Sequence, residues 1–201
     1  MKLPRLAAPL AATFLAAAAF AQNGKPDAEG FIRDWLVLAP TSIESGNGAG
    51  EIDRKQFATE AQPAAKECAT ESVNGKPLIW RKIAASEFYV DFRALNPNDA
   101  EQVAGWAVAY LVLAADKSGL TLHMNSNDQG KVYLNGKELV KFTETRTLEK
   151  DAEDKATGVT LRKGVNVLVL KVINEENNWQ GSVRFFDGAK PFTGYKVATS
   201  P

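Results

Sequence analysis

The sequence predicts an all-β fold, an antiparallel sandwich of jelly-roll type. Three observations carry this expectation. From Gly75 onward, short apolar runs are separated by turn residues at roughly 8–12-residue spacing, the rhythm of sandwiches and barrels. Asn135-Gly136, the pair best suited to a type I′ turn, stands between the strand-like runs of "KVYLNGKELV". No helical pattern long enough to serve as a crossover separates the runs, which removes a βαβ arrangement.

The chain of 201 residues opens with Lys2 and Arg5, an apolar alanine-rich run from Leu6 to Phe20, and Ala19-Phe20-Ala21. A basic start, a short apolar middle and small residues before Gln22 predict a secretory signal peptide over residues 1–21, and hence an exported, periplasmic or extracellular protein. The run is shorter than the roughly 20 residues a membrane-spanning helix needs, so no span is expected after cleavage. With 24 basic and 24 acidic residues the chain is formally neutral. Loss of Lys2 and Arg5 leaves it slightly acidic, which gives no electrostatic reason for nucleic acid as a partner. Cys68 is the single cysteine, so no internal disulfide forms, and it reads as a small, partly buried apolar residue.

Residues 22–30 read as a flexible lead-in, 31–187 as one domain and 188–201 as a tail. "FIRDWLVL" from Phe31 is rich in aromatic and branched residues and ends at Pro40. A glycine- and asparagine-rich stretch to Gly50 reads as an exposed loop, and residues 51–72 as an undetermined piece with room for a short helix interrupted by Pro63. "PLIWRKI" and "FYVDF" are short strands, followed by turn residues at 96–99. From Ala104 to Ala114 both alternating faces are apolar, Trp106, Val108, Tyr110 and Val112 on one and Ala107, Ala109, Leu111 and Leu113 on the other. Such a strand belongs mid-sheet, covered on both sides. Leu120, Leu122 and Met124 alternate inward against Thr121, His123 and Asn125. Arg162-Lys163-Gly164 turns one strand into the long run Val165–Ile173, and Asn174–Asn178 leads to the last core strand, Trp179–Phe186.

The order "FIRDWLVLAP", "GKPLIWRKI", "WAVAYLVLAAD", "LHMNSNDQGKVYLNGKELV", "LRKGVNVLVLKVINEENNWQGSVRF" resembles the galactose-binding-domain-like jelly rolls of secreted bacterial proteins. These are similar to the non-catalytic carbohydrate-binding modules of glycoside hydrolases. The likeness runs from about Phe31 to Asp187 and implies a sugar-binding sandwich. The chain departs from that pattern at Ala39-Pro40-Thr41, at Val165, and at Asn125-Ser-Asn-Asp-Gln-Gly130, where Asn127 replaces a carboxylate.

Residues with chemistry to offer are few. Asn127 and Asp128 form an oxygen-rich turn with a single acid, thin for a hard cation that wants several carboxylates. Their oxygens suit sugar hydroxyls. Trp35 and Trp106 lie within apolar strands and read as core, while Trp80 and Tyr133 read either way. Trp179, after the polar loop ending in Asn178, reads as the best exposed stacking platform. Adjacent acids, Glu149, Asp151, Glu153 and Asp154 in one knot and Glu175 with Glu176 in another, rarely face one another as glycoside hydrolysis requires and read as solvated loops, and His123 has no neighbouring acid in sequence. The expectation is a secreted non-catalytic binding module, alternatively a structural or protein-docking module of a cell-envelope assembly, with an enzyme of unknown class as a third reading, and no cofactor or metal. Its ligand-binding residues are Asn127, Asp128, Asn178 and Trp179, and its partner is a glycan or, alternatively, an envelope protein.

Overall fold

The computed structural model describes residues 24–95, 98 and 101–201, so the leader expected at 1–21 and most of the turn expected at 96–99 lie outside the described residues. The strands are β1 (Asp34–Ser42), β2 (Thr70–Val73), β3 (Lys76–Ile79), β4 (Arg81–Ala84), β5 (Val90–Asp91), β6 (Val103–Leu113) and β7 (Lys117–Asn127). They continue with β8 (Gly130–Leu134), β9 (Lys137–Phe142), β10 (Asp154–Leu161), β11 (Gly164–Asn174), β12 (Gln180–Asp187), β13 (Lys190–Pro191) and β14 (Lys196–Ala198). One four-residue helix, α1 (Gly48–Glu51), and one 3-10 turn at Phe92–Ala94 complete the described elements.

Two antiparallel sheets face each other. The first runs β4-β1-β6-β11-β8-β9, with β14 also on β6, and the second β10-β7-β12-β13, with β5 also on β12. The antiparallel sandwich expected from the sequence is therefore what forms. Alternation decides the layers. Ala107, Ala109, Leu111 and Leu113 of β6 meet Leu168, Leu170 and Val172 of β11 and Leu120, Leu122 and Met124 of β7 between the sheets. The opposite face of β6, with Trp106, Val108 and Tyr110, is buried beneath Ile52, Phe57, Ala65, Val73 and Trp80.

Residues 43–80 thus form a covering segment over the outer face of the first sheet. It holds α1 and the β2–β3 hairpin, and is otherwise irregular. The ends of the domain differ from the expectation. Val197 and Gly24 exchange backbone hydrogen bonds at 2.9 and 2.8 Å, and β14 pairs with β6 beyond the end of β1. The reason is geometric: β1 leaves off at Val108, and the remaining edge of β6 takes up Val197 and Ala198.

The β8–β9 hairpin turns at Asn135 and Gly136, with φ of 50° and 80°, the conformation a type I′ turn demands. The Asn135 side chain adds a second tie, accepting from Val167 N at 2.8 Å and donating to Asn166 Oδ1 at 2.9 Å.

Candidate functional site

A cleft of about 760 Å³ opens at the rim of the sandwich. Four separate pieces of chain build it: Asn127 and Asp128 at the β7–β8 corner, Thr145–Thr147 after β9, Glu175–Asn178 between β11 and β12, and Arg93 on the 3-10 turn. The corner carries the chain from one sheet to the other. Asp128 N donates to Ile173 O at 2.8 Å, and Ile173 N donates to Gln129 O at 2.9 Å. The turn is tight enough that a Cβ at Gly130 would stand 2.4 Å from Ser126 Oγ.

Asp128 ties these pieces together. Its Oδ2 accepts from Glu175 N at 3.0 Å and its Oδ1 from Arg146 N at 3.3 Å. One carboxylate thereby spans the two loops that flank it, and each oxygen keeps further acceptor capacity. Arg146 is held in turn: Nη2 donates to Asp154 at 2.6 Å, Nε to Ser126 O at 3.0 Å, and the guanidinium lies 3.7 Å over the Phe142 ring. Glu175 Oε1 accepts from Gly48 N at 2.8 Å, joining the cleft wall to the covering segment. Asn127 stands apart. It is 5% exposed and its Oδ1 has no hydrogen-bond partner.

Of the four residues singled out by sequence, Asn127, Asp128 and Asn178 line this cleft together. Trp179 is corrected. It is fully buried, stacked on Phe92 with centroids 5.0 Å apart and planes at 18°, and Nε1 donates to Val172 O at 3.2 Å. Its ring occupies the space that Gly105 leaves, since a Cβ there would meet the indole at 2.6 Å. Glycine within an apolar strand is the signal that something large packs close. Trp35, Trp80 and Trp106 are buried as well, so none of the four tryptophans offers a stacking face.

Arg93 and Arg146 escaped the sequence reading, and Glu175 and Glu176 read there only as a solvated loop, because only the fold brings those stretches beside the β7–β8 corner. His123 is corrected too. An acid 30 residues away reaches it, with Nδ1 and Glu153 Oε2 2.8 Å apart. Arg184 grips the same carboxylate at 2.7 and 2.8 Å, and His123 stacks on Phe186 at 4.3 Å. This cluster fastens the 149–153 connection to the outside of the second sheet, and it does not line the cleft. Cys68 is exposed and not part-buried, at a left-handed φ of 65°. Among the described residues no three His, Cys, Asp or Glu side chains converge as a metal site would require.

No protein-family model matches the chain, and no curated protein matches it in sequence. Among solved structures it is similar to the PA14 sugar-binding domain from an RTX adhesin, with 10% identity over 85% of this chain and 100% of that one, and a TM-score of 0.38. It is also similar to the PA14 domain of the MpAFP antifreeze protein, with 10% identity over 90% and 97% and a TM-score of 0.41. A third likeness is to the β-glucuronidase of Ruminococcus gnavus, with 14% identity over 93% of this chain and a TM-score of 0.45; the chain spans 30% of that enzyme's length.

Proposed function

We propose that this chain is an exported, non-catalytic module that recognises a glycan in the rim cleft. The observation that carries the reading is the unpaired, buried Oδ1 of Asn127 in a cleft lined by amides, threonines and charged groups. A buried acceptor without a donor is a cost the fold bears alone, and a ligand hydroxyl removes it. Sugars supply such donors in fixed array, and Asn178, Thr145 and Thr147 add both donors and acceptors around them. Recognition rests on hydroxyl pairing without aromatic stacking, because Trp179 faces inward.

Binding without chemistry is favoured by how the acids are used. Asp128 and Glu175 are occupied by backbone N–H donors that fix loops, which suits acceptors and not a proton-shuttling pair. No helix among the described residues is long and apolar enough to cross a membrane. The test is a glycan array with the purified protein, followed by affinity electrophoresis. Binding that weakens in Asn127→Ala and Asn178→Ala supports the reading. Silence across plant, microbial and host polysaccharides overturns it, in favour of a protein partner.

A further inference from the structure

Among the described residues five charged side chains line the cleft, and the protein gives three of them partners. Arg146 is paired with Asp154, Asp128 holds two backbone N–H groups, and Glu175 holds Gly48 N. Glu176 is exposed on the loop. Arg93 differs from all of these. Its Nη1 donates to Asn177 O at 2.7 Å, and among the described residues its side chain makes no ion pair. The carbonyl fixes where the guanidinium sits but leaves its full charge and most of its N–H groups unspent. An arginine already held in place loses little freedom when a ligand arrives, and its planar fork matches a carboxylate with two parallel hydrogen bonds.

We propose that Arg93 recognises a carboxylate on the ligand, so that the cleft prefers glycans containing uronic acid to neutral ones. This rests on the glycan reading above and names the class of sugar. Within such a ligand the groups divide cleanly. The carboxylate takes the Arg93 fork, one ring hydroxyl donates to Asn127 Oδ1, and another donates to Glu176. Glu176, Asp128 and Glu175 limit the preference, since no cation pairs with any of the three among the described residues and their charges oppose that of the ligand. Arg146 contributes no comparable attraction, because Asp154 already neutralises it.

The experiment measures affinity for polygalacturonate and for the same polymer after methyl esterification, beside a neutral glycan from the array and dextran sulfate. The esterified polymer keeps the hydroxyls, loses the charge and gains a methyl group at each carboxyl. The acid form is expected to bind about tenfold more tightly than the ester, the scale of one charge-assisted hydrogen bond. Arg93→Gln removes that difference, its loss falling on the acid form far more than on the ester or the neutral glycan. Arg93→Lys keeps the charge without the fork and gives an intermediate value. Glu176→Gln, at an exposed position that does not burden folding, widens the preference for the acid form. Equal affinity for acid and ester, binding of a neutral glycan alone, or an Arg93→Gln loss that strikes both polymers equally overturns the inference and leaves the glycan reading standing. Dextran sulfate binding as tightly as polygalacturonate overturns it as well, by showing response to charge density alone. Binding to no glycan at all fails the parent reading, and the inference falls with it.

Discussion

Lys171 and Asn127 are both buried polar side chains, and the fold treats them in opposite ways. Lys171 lies on the outward face of β11 beneath the covering segment, fully buried. Its ammonium donates to Glu51 O at 2.9 Å, Arg54 O at 2.7 Å and Glu60 Oε1 at 3.1 Å, which uses all three N–H bonds. Burial depresses its pKa below the usual lysine value, with Glu60 opposing the fall. Beside it Lys131, its cross-strand partner, contacts Asp53, which also accepts from Lys141 at 2.7 Å. The covering segment therefore supplies an acceptor for each buried charge on that face. At the rim, by contrast, the acceptor Asn127 Oδ1 is buried and left without a donor. The buried lysines beneath the cover are answered and the rim amide oxygen is not, and substitutions can test that difference.

The strongest test is on the closed side. Lys171→Met leaves Glu60 buried without its cation and two carbonyls without a donor, at a cost of about 3–5 kcal/mol. In a chain of this size that lowers the melting temperature by roughly 10 °C. The double variant Lys171→Met, Glu60→Leu is expected to recover part of the loss, because no unpaired charge remains. Equal stability of the single variant and the wild type, measured by thermal denaturation, would show that the covering segment is not anchored there.

Trp179 stands beside the open cleft yet belongs with the closed regime. Trp179→Ala removes a side chain packed on Phe92 and against Gly105, with an expected loss of about 3–5 kcal/mol. If Trp179 instead acted as an exposed platform, the variant would keep its stability and lose only affinity. Denaturant unfolding beside a binding assay separates the two.

What was legible in the sequence divides along the same line. Period-two alternation showed the two faces of β6, and the Asn135-Gly136 pair showed the hairpin, because local geometry dictates both. The cover over Trp106 and Tyr110 was required by an apolar outer face, yet its identity was hidden. Ile52, Phe57, Ala65, Val73 and Trp80 reach that face from irregular chain, where no period marks which residues turn inward. Of the site, the corner Asn127-Asp128 and Asn178 were visible as polar turn residues. Arg93, Arg146 and Glu176 were not, since sequence separation hides convergence. Trp179 misled because a polar neighbour says nothing of ring direction; the informative residue was Gly105, far away in the chain.

Alkaline titration gives a smaller effect on the closed side. Tyr110, whose hydroxyl donates to Ala65 O at 2.8 Å, is raised by burial to about 12. Burial likewise raises Tyr89, Tyr133 and Tyr195 above the ordinary phenol value. The folded protein thus keeps protons that the unfolded chain releases near pH 10. Stability is complete below that pH and falls as pH rises toward 12, with Tyr110 contributing at most about 1.4 kcal/mol per pH unit. Tyr110→Phe is expected to flatten the alkaline limb while costing about 1–3 kcal/mol at neutral pH, since Ala65 O loses its donor. Chemical denaturation across pH 8 to about 12 compares the two slopes; identical slopes would mean that Tyr110 titrates normally in the fold.

The smallest effect on stability is expected where the open side is changed. Asn127→Ala deletes an amide oxygen that receives nothing from the protein, so the fold loses no hydrogen bond at that atom and sheds a buried acceptor. Its melting temperature should stay within the change that about 0.5 kcal/mol produces, or rise. Glycan affinity should fall about tenfold, because the ligand hydroxyl then becomes the unpaired group. That separation of stability from affinity is the opposite of what Lys171→Met gives. A large loss of stability in Asn127→Ala would mean that the amide is answered within the fold, and the physical reason for placing a ligand at this rim would disappear.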